Sequence, residues 1–214
     1  MSPSLAPDLS RARPTGRLIY LHGFRSSPQS AKARALLQKL TAHGFADRFV
    51  CPHLPISPRS AWEAILALHP GCEDVVVGSS LGGYYARAVA AQVRNLRVIA
   101  LNPAVDPARS LAGHLGTQRG WHDDAPLEFV PHYLQELRDL RIEQLCAPER
   151  CLLVAARGDE LIDWRDMVAA WRGSRMLVLA ASDHAITDFE RYIDQLLDVA
   201  GFGASASMSL NRSE

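Results

Sequence analysis

The chain has 214 residues, 48% of them hydrophobic, and its 23 basic and 23 acidic side chains give a formal net charge of zero. This length and apolar content fit one globular domain with a sizeable core. The balanced charge excludes the strongly basic surface that a nucleic-acid binder or a polybasic membrane anchor needs. We therefore expect neither nucleic acid nor membrane among the partners.

The two ends of the chain have compositions that do not favour packed structure. Residues 1–16 contain three prolines and no apolar run long enough for a signal peptide or a membrane span, so we expect a loose leader there. Residues 201–214 are mostly small and polar, which predicts a flexible tail. The single domain would then occupy residues 17–200.

The four cysteines show neither C-x-x-C pairs nor metal-ligand spacing, and a chain of this length does not need disulfides to fold. We therefore predict free thiols, a cytoplasmic location and no metal site. The cysteines are Cys51, Cys72, Cys146 and Cys151.

Six short β-rich runs alternate with helical patterns along the chain. This alternation predicts a doubly wound, mainly parallel sheet of about six strands, with helices on both faces. The expected strands cover residues 18–21, 49–51, 75–77, 98–101, 152–155 and 176–179.

Helix-start signals precede three of the intervening segments. Ser27 followed by Pro28 predicts a helix N-terminus, and Gly44 would end that helix. Two further pairs have the spacing of a capping box, in which two side chains satisfy free amides at a helix start. These pairs are Ser60 with Glu63 and Thr187 with Glu190.

The regular alternation is interrupted once, at residues 103–148. A loop at residues 113–124, rich in glycine, histidine and aspartate, precedes a helical pattern that runs from Val130 to Leu140. At roughly 45 residues the segment is long for a connection within a compact domain. It supports two alternatives, a lid that covers the substrate and a packing helix with a surface loop.

Residues 78–82 read Gly-Ser-Ser-Leu-Gly and join the third predicted strand to a helix-compatible segment at 81–92. This strand, turn and helix context is that of a nucleophile elbow, in which a strained serine needs glycine two residues to either side. Ser80 has glycine at both positions, whereas Ser79 has valine and leucine there. Ser80 is therefore the predicted nucleophile.

A serine nucleophile requires a base that a carboxylate orients. In hydrolases built around such an elbow, the chain order is serine, acid and histidine, with the acid after the penultimate main strand and the histidine after the last. Asp159 and His184 occupy these two positions, so both would emerge at the carboxyl edge of the sheet. We predict Asp159 as the acid and His184 as the base.

Three other carboxylates compete with Asp159 for the role of the acid: Glu160, Asp163 and Asp183. Asp163 occupies the expected N-cap position of a helix, which already accounts for it. Asp183 directly precedes His184, so its carboxylate would have difficulty reaching the imidazole ring of its neighbour. Chain order favours Asp159.

The oxyanion that forms when a serine attacks an acyl carbon needs two backbone donors. We expect one from Leu81, which follows the nucleophile, and one from Phe24 in the loop after the first strand, where Gly23 lets the backbone turn. The neighbouring His22 is expected to support this loop through a structural hydrogen bond.

Five blocks distributed over nearly the whole chain share the pattern of a known family. They read IYLHGFRSSPQSAKA (19–33), VGSSLGGYYA (77–86), LNPAV (101–105), ARGDELIDW (156–164) and DHAITDFERY (183–192). This pattern resembles the small YqiA/YcfP-like esterases of the α/β-hydrolase superfamily. By that resemblance Ser80, Asp159 and His184 match the catalytic triad, and Phe24 and Leu81 match the oxyanion donors. The resemblance implies a carboxylic ester or thioester as the substrate.

The sequence thus predicts a metal-independent serine hydrolase for a small-molecule acyl ester or thioester. His184 would deprotonate Ser80, an acyl-enzyme would form, and water activated by His184 would release the acid. No cofactor is implied, since neither G-x-G-x-x-G nor a Walker lysine is present. Two alternatives are a thioesterase or acyltransferase with the same triad, and a non-catalytic binding protein on a hydrolase scaffold.

Overall fold

The computed structural model of the protein describes residues 15–121 and 126–204. Most of the predicted leader (1–16) and tail (201–214) therefore lies outside the described residues, as does the end of the predicted loop, 122–124. Within the described ranges, no helix is long and apolar enough to cross a membrane.

Six strands form one sheet: β1 (Leu18–Leu21), β2 (Phe49–Val50), β3 (Val75–Ser79), β4 (Arg97–Leu101), β7 (Cys151–Ala156) and β8 (Arg175–Leu179). The sheet is parallel and has the strand order β2-β1-β3-β4-β7-β8, which confirms the predicted architecture. Two further strands, β5 (Gly116–Arg119) and β6 (Pro126–Phe129), pair with each other in an antiparallel hairpin.

Helices cover both faces of the sheet. They are α1 (Ala31–Ala42), α2 (Pro58–Leu66), α3 (Leu81–Gln92), α4 (Pro107–Ser110), α5 (Pro131–Asp139), α6 (Trp164–Ala170) and α7 (Ile193–Ala200). Successive side chains of a strand point to opposite faces, so each strand contributes to two cores. In β1, for example, Leu18 and Tyr20 pack with α1 and α7, whereas Ile19 and Leu21 pack with α2, α3, α5 and α6.

Helix α1 begins three residues later than predicted. Its N-cap is Ser30, whose hydroxyl oxygen accepts a hydrogen bond from the Ala33 amide at 3.4 Å. The Ser27 hydroxyl oxygen instead accepts from the Gln29 amide at 3.1 Å, within a turn that precedes the helix. The segment contains several serines that can cap a turn or a helix, and the sequence pattern did not distinguish between them.

The two predicted capping boxes are also wrong. Helix α2 is capped by Ser57, and the amide of Ser60 is the donor in that bond at 3.2 Å. The amide of Thr187 donates to the Asp183 carboxylate at 2.9 Å, and Glu190 lies in a 3₁₀ turn before α7 begins. In both places a residue earlier in the chain provides the oxygen that satisfies the free amide.

The packed domain extends past residue 200, the predicted boundary. Gly201 adopts a left-handed conformation (φ 83°) that ends α7 and turns the chain back toward the core. Phe202 is fully buried, with its ring 5.4 Å from that of Phe45, and its carbonyl oxygen lies 2.9 Å from Nδ1 of His43. The first residues of the predicted tail are therefore part of the core.

Candidate active site

Ser80 lies at the junction of β3 and α3 in a strained backbone conformation, with φ 55° and ψ −119°. Such a conformation persists only when its surroundings hold it. Here the Ser80 amide donates to the Leu101 carbonyl at 2.9 Å, and the Ser80 carbonyl accepts from the Ala104 amide at 3.0 Å. The neighbouring strand β4 and the loop after it therefore fix the position of Ser80.

The glycines on either side of Ser80 are required by close backbone contacts. A Cβ atom at Gly78 would lie 2.3 Å from the carbonyl oxygen of Gly82. A Cβ atom at Gly82 would lie 1.9 Å from the carbonyl oxygen of Leu21. A larger residue at either position would force the turn away from the sheet.

The structure brings the side chains of Ser80, His184 and Asp159 into one hydrogen-bonded chain. Nε2 of His184 lies 3.1 Å from Oγ of Ser80, and Nδ1 lies 2.7 Å from Oδ2 of Asp159. A carboxylate can only accept, so Nδ1 carries the ring proton and Nε2 is free to accept one from the serine hydroxyl. The side chain of Asp159 is fully buried and that of His184 is 16% exposed.

The second carboxylate oxygen of Asp159 is bound by the backbone of its own loop. Oδ1 accepts from the amides of Leu161 and Ile162 at 2.9 and 2.8 Å. Both oxygens of this buried carboxylate therefore have partners, and its orientation toward His184 is set by the chain that follows it.

The three competing carboxylates make other contacts. Glu160 accepts from the backbone amide of His184 at 3.0 Å, and not from its ring. Asp163 caps α6 and accepts from the Arg165 amide at 2.9 Å. Asp183 accepts from the Thr187 amide, as described above.

The two predicted oxyanion donors, Leu81 and Phe24, lie next to Ser80. Leu81 directly follows Ser80 and is the first residue of α3, where helix amides have no acceptor within the helix. A Cβ atom at Gly23 would be 3.2 Å from Cβ of Ser80, so the chain leading into Phe24 passes directly against Ser80. The helix N-terminus also favours negative charge at this point.

His22 joins two loops beneath the site. It is 2% exposed, its Nδ1 lies 3.1 Å from the Gly23 carbonyl oxygen, and its Nε2 accepts from the Leu54 amide at 3.2 Å. The imidazole thus ties the loop after β1 to the loop before α2, which is the supporting role expected from the sequence.

A cleft opens beside Phe24 and Leu81. One wall is the loop after β1, another is the loop before α2, and the hairpin closes a third side through Leu127. Most of its side chains are apolar, which suits a hydrophobic group. These apolar side chains are Phe24, Leu54, Pro55, Ile56, Leu81, Tyr85 and Leu127.

The segment predicted as a loop at 113–124 contains a 3₁₀ turn and the strand β5. It is docked on the loop after β1 through Arg25. The Arg25 guanidinium lies 4.3 Å from the centroid of the Trp121 ring and donates to the Arg119 carbonyl, while the Arg25 carbonyl accepts from the Trp121 amide at 2.9 Å. The ring of Phe24 meets that of Phe129 edge-on at 5.2 Å.

Lys32 supports the far side of the loop that carries His184. Its ammonium group donates to the carbonyl of Ala185, the residue after His184. Burial lowers the pKa of Lys32 to about 8, against the opposing effect of the nearby Asp183 carboxylate. Asn102, which the sequence analysis did not single out, binds the same loop from the sheet side.

The chain is similar to known sequences over most of its length. Residues 17–201 match the uncharacterised protein family UPF0227. A similar relative, the UPF0227 protein YE1706 of Yersinia enterocolitica, is 26% identical over 156 residues, which cover 68% of this chain and 77% of the relative. The UPF0227 protein YPTB2448 of Yersinia pseudotuberculosis is 25% identical over the same length and the same shares of both chains.

Similar folds occur among solved structures of α/β hydrolases. The α/β hydrolase domain-containing protein 10 from mouse has a TM-score of 0.64 at 16% identity, and the match covers 86% of this chain and 90% of the mouse chain. Est1E from Butyrivibrio proteoclasticus has a TM-score of 0.60 at 15% identity and covers 91% and 88%. The predicted α/β-hydrolase fold and the predicted YqiA/YcfP-like grouping are thereby confirmed, and the chain belongs to the UPF0227 family.

Proposed function

We propose that this protein is a serine hydrolase that cleaves carboxylic esters or thioesters of small molecules. The observation that carries the proposal is the hydrogen-bonded chain from Ser80 through His184 to the buried Asp159. A serine hydroxyl is a weak nucleophile, and this arrangement supplies both the base that removes its proton and the carboxylate that orients the base.

The proposed reaction has two halves. In the first, Nε2 of His184 takes the Ser80 proton as Oγ attacks the acyl carbon, and the alcohol or thiol leaves with a proton from the imidazolium. In the second, His184 activates a water molecule that hydrolyses the acyl-enzyme. The amides of Phe24 and Leu81 would donate to the oxyanion in both halves.

The acyl or leaving group would occupy the cleft beside Phe24 and Leu81. Its apolar walls favour a hydrophobic group, and the hairpin limits its length by closing one side through Leu127. We propose that the hairpin of β5 and β6 acts as this wall, joined to the loop after β1 by Arg25.

The direct test is labelling with a fluorophosphonate probe followed by peptide mapping. We expect covalent modification at Ser80, because its neighbouring base makes the hydroxyl reactive.

A second test measures hydrolysis rates on acyl esters and thioesters of graded chain length, with a hydroxycinnamoyl ester included. These rates should fall once the acyl or leaving group is longer than the cleft. The absence of labelling in folded protein would favour a binding protein, and acyl transfer to an added acceptor in place of hydrolysis would indicate an acyltransferase.

Hydrogen exchange tests whether the hairpin covers the substrate. We expect the amides of β5 and β6 to exchange faster than those of β3 in free protein and to become protected after a probe reacts with Ser80. The amides of α7, which lies on the opposite face of the sheet, serve as the control and should not change. Unchanged exchange in the hairpin would leave it with a packing role alone.

A further inference from the structure

Asn102, the residue that follows β4, is fully buried and forms three side-chain hydrogen bonds. Its Nδ2 group donates to the carbonyl oxygens of Asp183 and His184, at 2.9 and 3.0 Å. Its Oδ1 atom accepts from the amide of Ala156, the last residue of β7, at 2.8 Å. One side chain thus binds the loop that carries His184 and the strand end that leads to Asp159.

The residue type follows from this pattern of bonds. An asparagine amide offers two N–H donors and an acceptor in one plane, and Asn102 uses all three. Aspartate would keep the acceptor but lose both donors, and leucine would lose all three. Either change would remove the side-chain donor to the partly buried His184 carbonyl and would leave the Asp183 carbonyl with only the Ile186 amide, at 3.1 Å.

The backbone of His184 is therefore held at both of its peptide groups. Its carbonyl accepts from Asn102, and its amide donates to the carboxylate of Glu160. The carbonyl of Leu101, the residue before Asn102, accepts from the Ser80 amide. Consecutive residues at the end of β4 consequently bind the segments that carry the serine, the acid and the histidine.

We propose that Asn102 is a positioning residue that fixes the imidazole of His184 between Asp159 and Ser80. It contacts none of the reacting atoms and acts through the backbone. This inference rests on the proposed function, in which both ring nitrogens must stay within hydrogen-bond distance of their partners. A displacement of about 1 Å in such a site can cost about a hundredfold in rate.

Asn102→Gly is the first test, because the backbone of residue 102 has φ 43° and glycine adopts that conformation readily. The substitution removes the three side-chain bonds without straining the backbone. We expect kcat to fall about a hundredfold with little change in KM. The downfield proton resonance of His184 Nδ1–H, assigned by its loss in His184→Gln, should shift or broaden.

Two further variants separate positioning from general instability. Asn102→Asp keeps the bond to Ala156 and should reproduce the loss in kcat, which also provides a second variant if the glycine variant does not fold. Val98→Ala removes a buried side chain from the same strand, β4, away from the site. It should lower the unfolding temperature and leave kcat and the Nδ1 proton resonance unchanged.

The outcomes distinguish this inference from the proposed function. If the wild type hydrolyses esters and folded Asn102→Gly keeps more than about a third of its kcat with an unchanged Nδ1 proton resonance, Asn102 is only structural and the inference is wrong. If the wild type has no Ser80-dependent hydrolysis, the proposed function fails. The Nδ1 proton resonance still reports whether Asn102 positions His184 in that case.

Discussion

Ser80→Ala is expected to reduce kcat/KM for any ester that the protein hydrolyses by at least about a thousandfold. The substitution removes the attacking oxygen and leaves the base, the acid and the backbone donors in place. Any residual rate would then come from binding and oxyanion stabilisation alone. The measurement is steady-state kinetics on purified protein, with circular dichroism to verify folding and a chelator present in a parallel series.

Ser79→Ala is the matched control, since Ser79 is the adjacent serine and the last residue of β3. Its side chain is buried and takes no part in the hydrogen-bonded chain that joins Ser80, His184 and Asp159. Its loss should cost stability on the order of 1 kcal/mol and leave most of the activity. The reverse pattern, an inactive Ser79 variant and an active Ser80 variant, would show that the assigned nucleophile is wrong.

The parallel series with a chelator tests for a metal. Activity that the chelator removes and a divalent ion restores would indicate metal-activated water.

Asp159→Asn is expected to lower kcat by about 10³- to 10⁴-fold with little effect on folding. The amides of Leu161 and Ile162 bind Oδ1 and would hold the oxygen of an asparagine in the same place. The asparagine NH₂ group would then face Nδ1 of His184. Two donors cannot pair, so the ring would adopt the tautomer with its proton on Nε2, where it cannot accept the proton of Ser80.

The control for the acid is Asp163→Asn, which makes the same chemical change four residues later. Asparagine caps a helix about as well as aspartate, so α6 and the activity should both persist. Glu160→Gln keeps an oxygen for the His184 amide and should also retain most of the activity. Loss of activity in the Asp163 variant together with a fully active Asp159 variant would overturn the assignment of the acid.

The strands and the position of Ser80 could be predicted because their signals are local. The central strands β1, β3, β4 and β7 are buried on both faces, so each appears in the sequence as a short apolar run. The edge strands β2 and β8 are partly buried. The choice of Ser80 over Ser79 also rests on a local signal, because the backbone contacts around Gly78 and Gly82 exclude a Cβ atom at both positions. Chain order then indicated Asp159 and His184 at the correct edge of the sheet.

Strand β5 lies in the segment predicted as a loop, 113–124, because it carries no such signal. Three of the four residues of β5 are exposed, and the strand pairs with β6 alone, so no alternating buried face is present in the sequence. The predicted helix starts were wrong for a related reason. Several serines lie close together at these positions, and the backbone turn decides which hydroxyl reaches the free amides.

The sequence by itself determined the fold class and indicated Ser80 and the chain order of its proposed partners, because those follow from burial periodicity and from backbone space at a tight turn. The tertiary structure alone decided how His184 is held. Asn102 reaches it across 82 residues of chain, and Glu160 reaches it across 24. No local pattern encodes such bonds, because they exist only once the ends of β4, β7 and β8 lie side by side at one edge of the sheet.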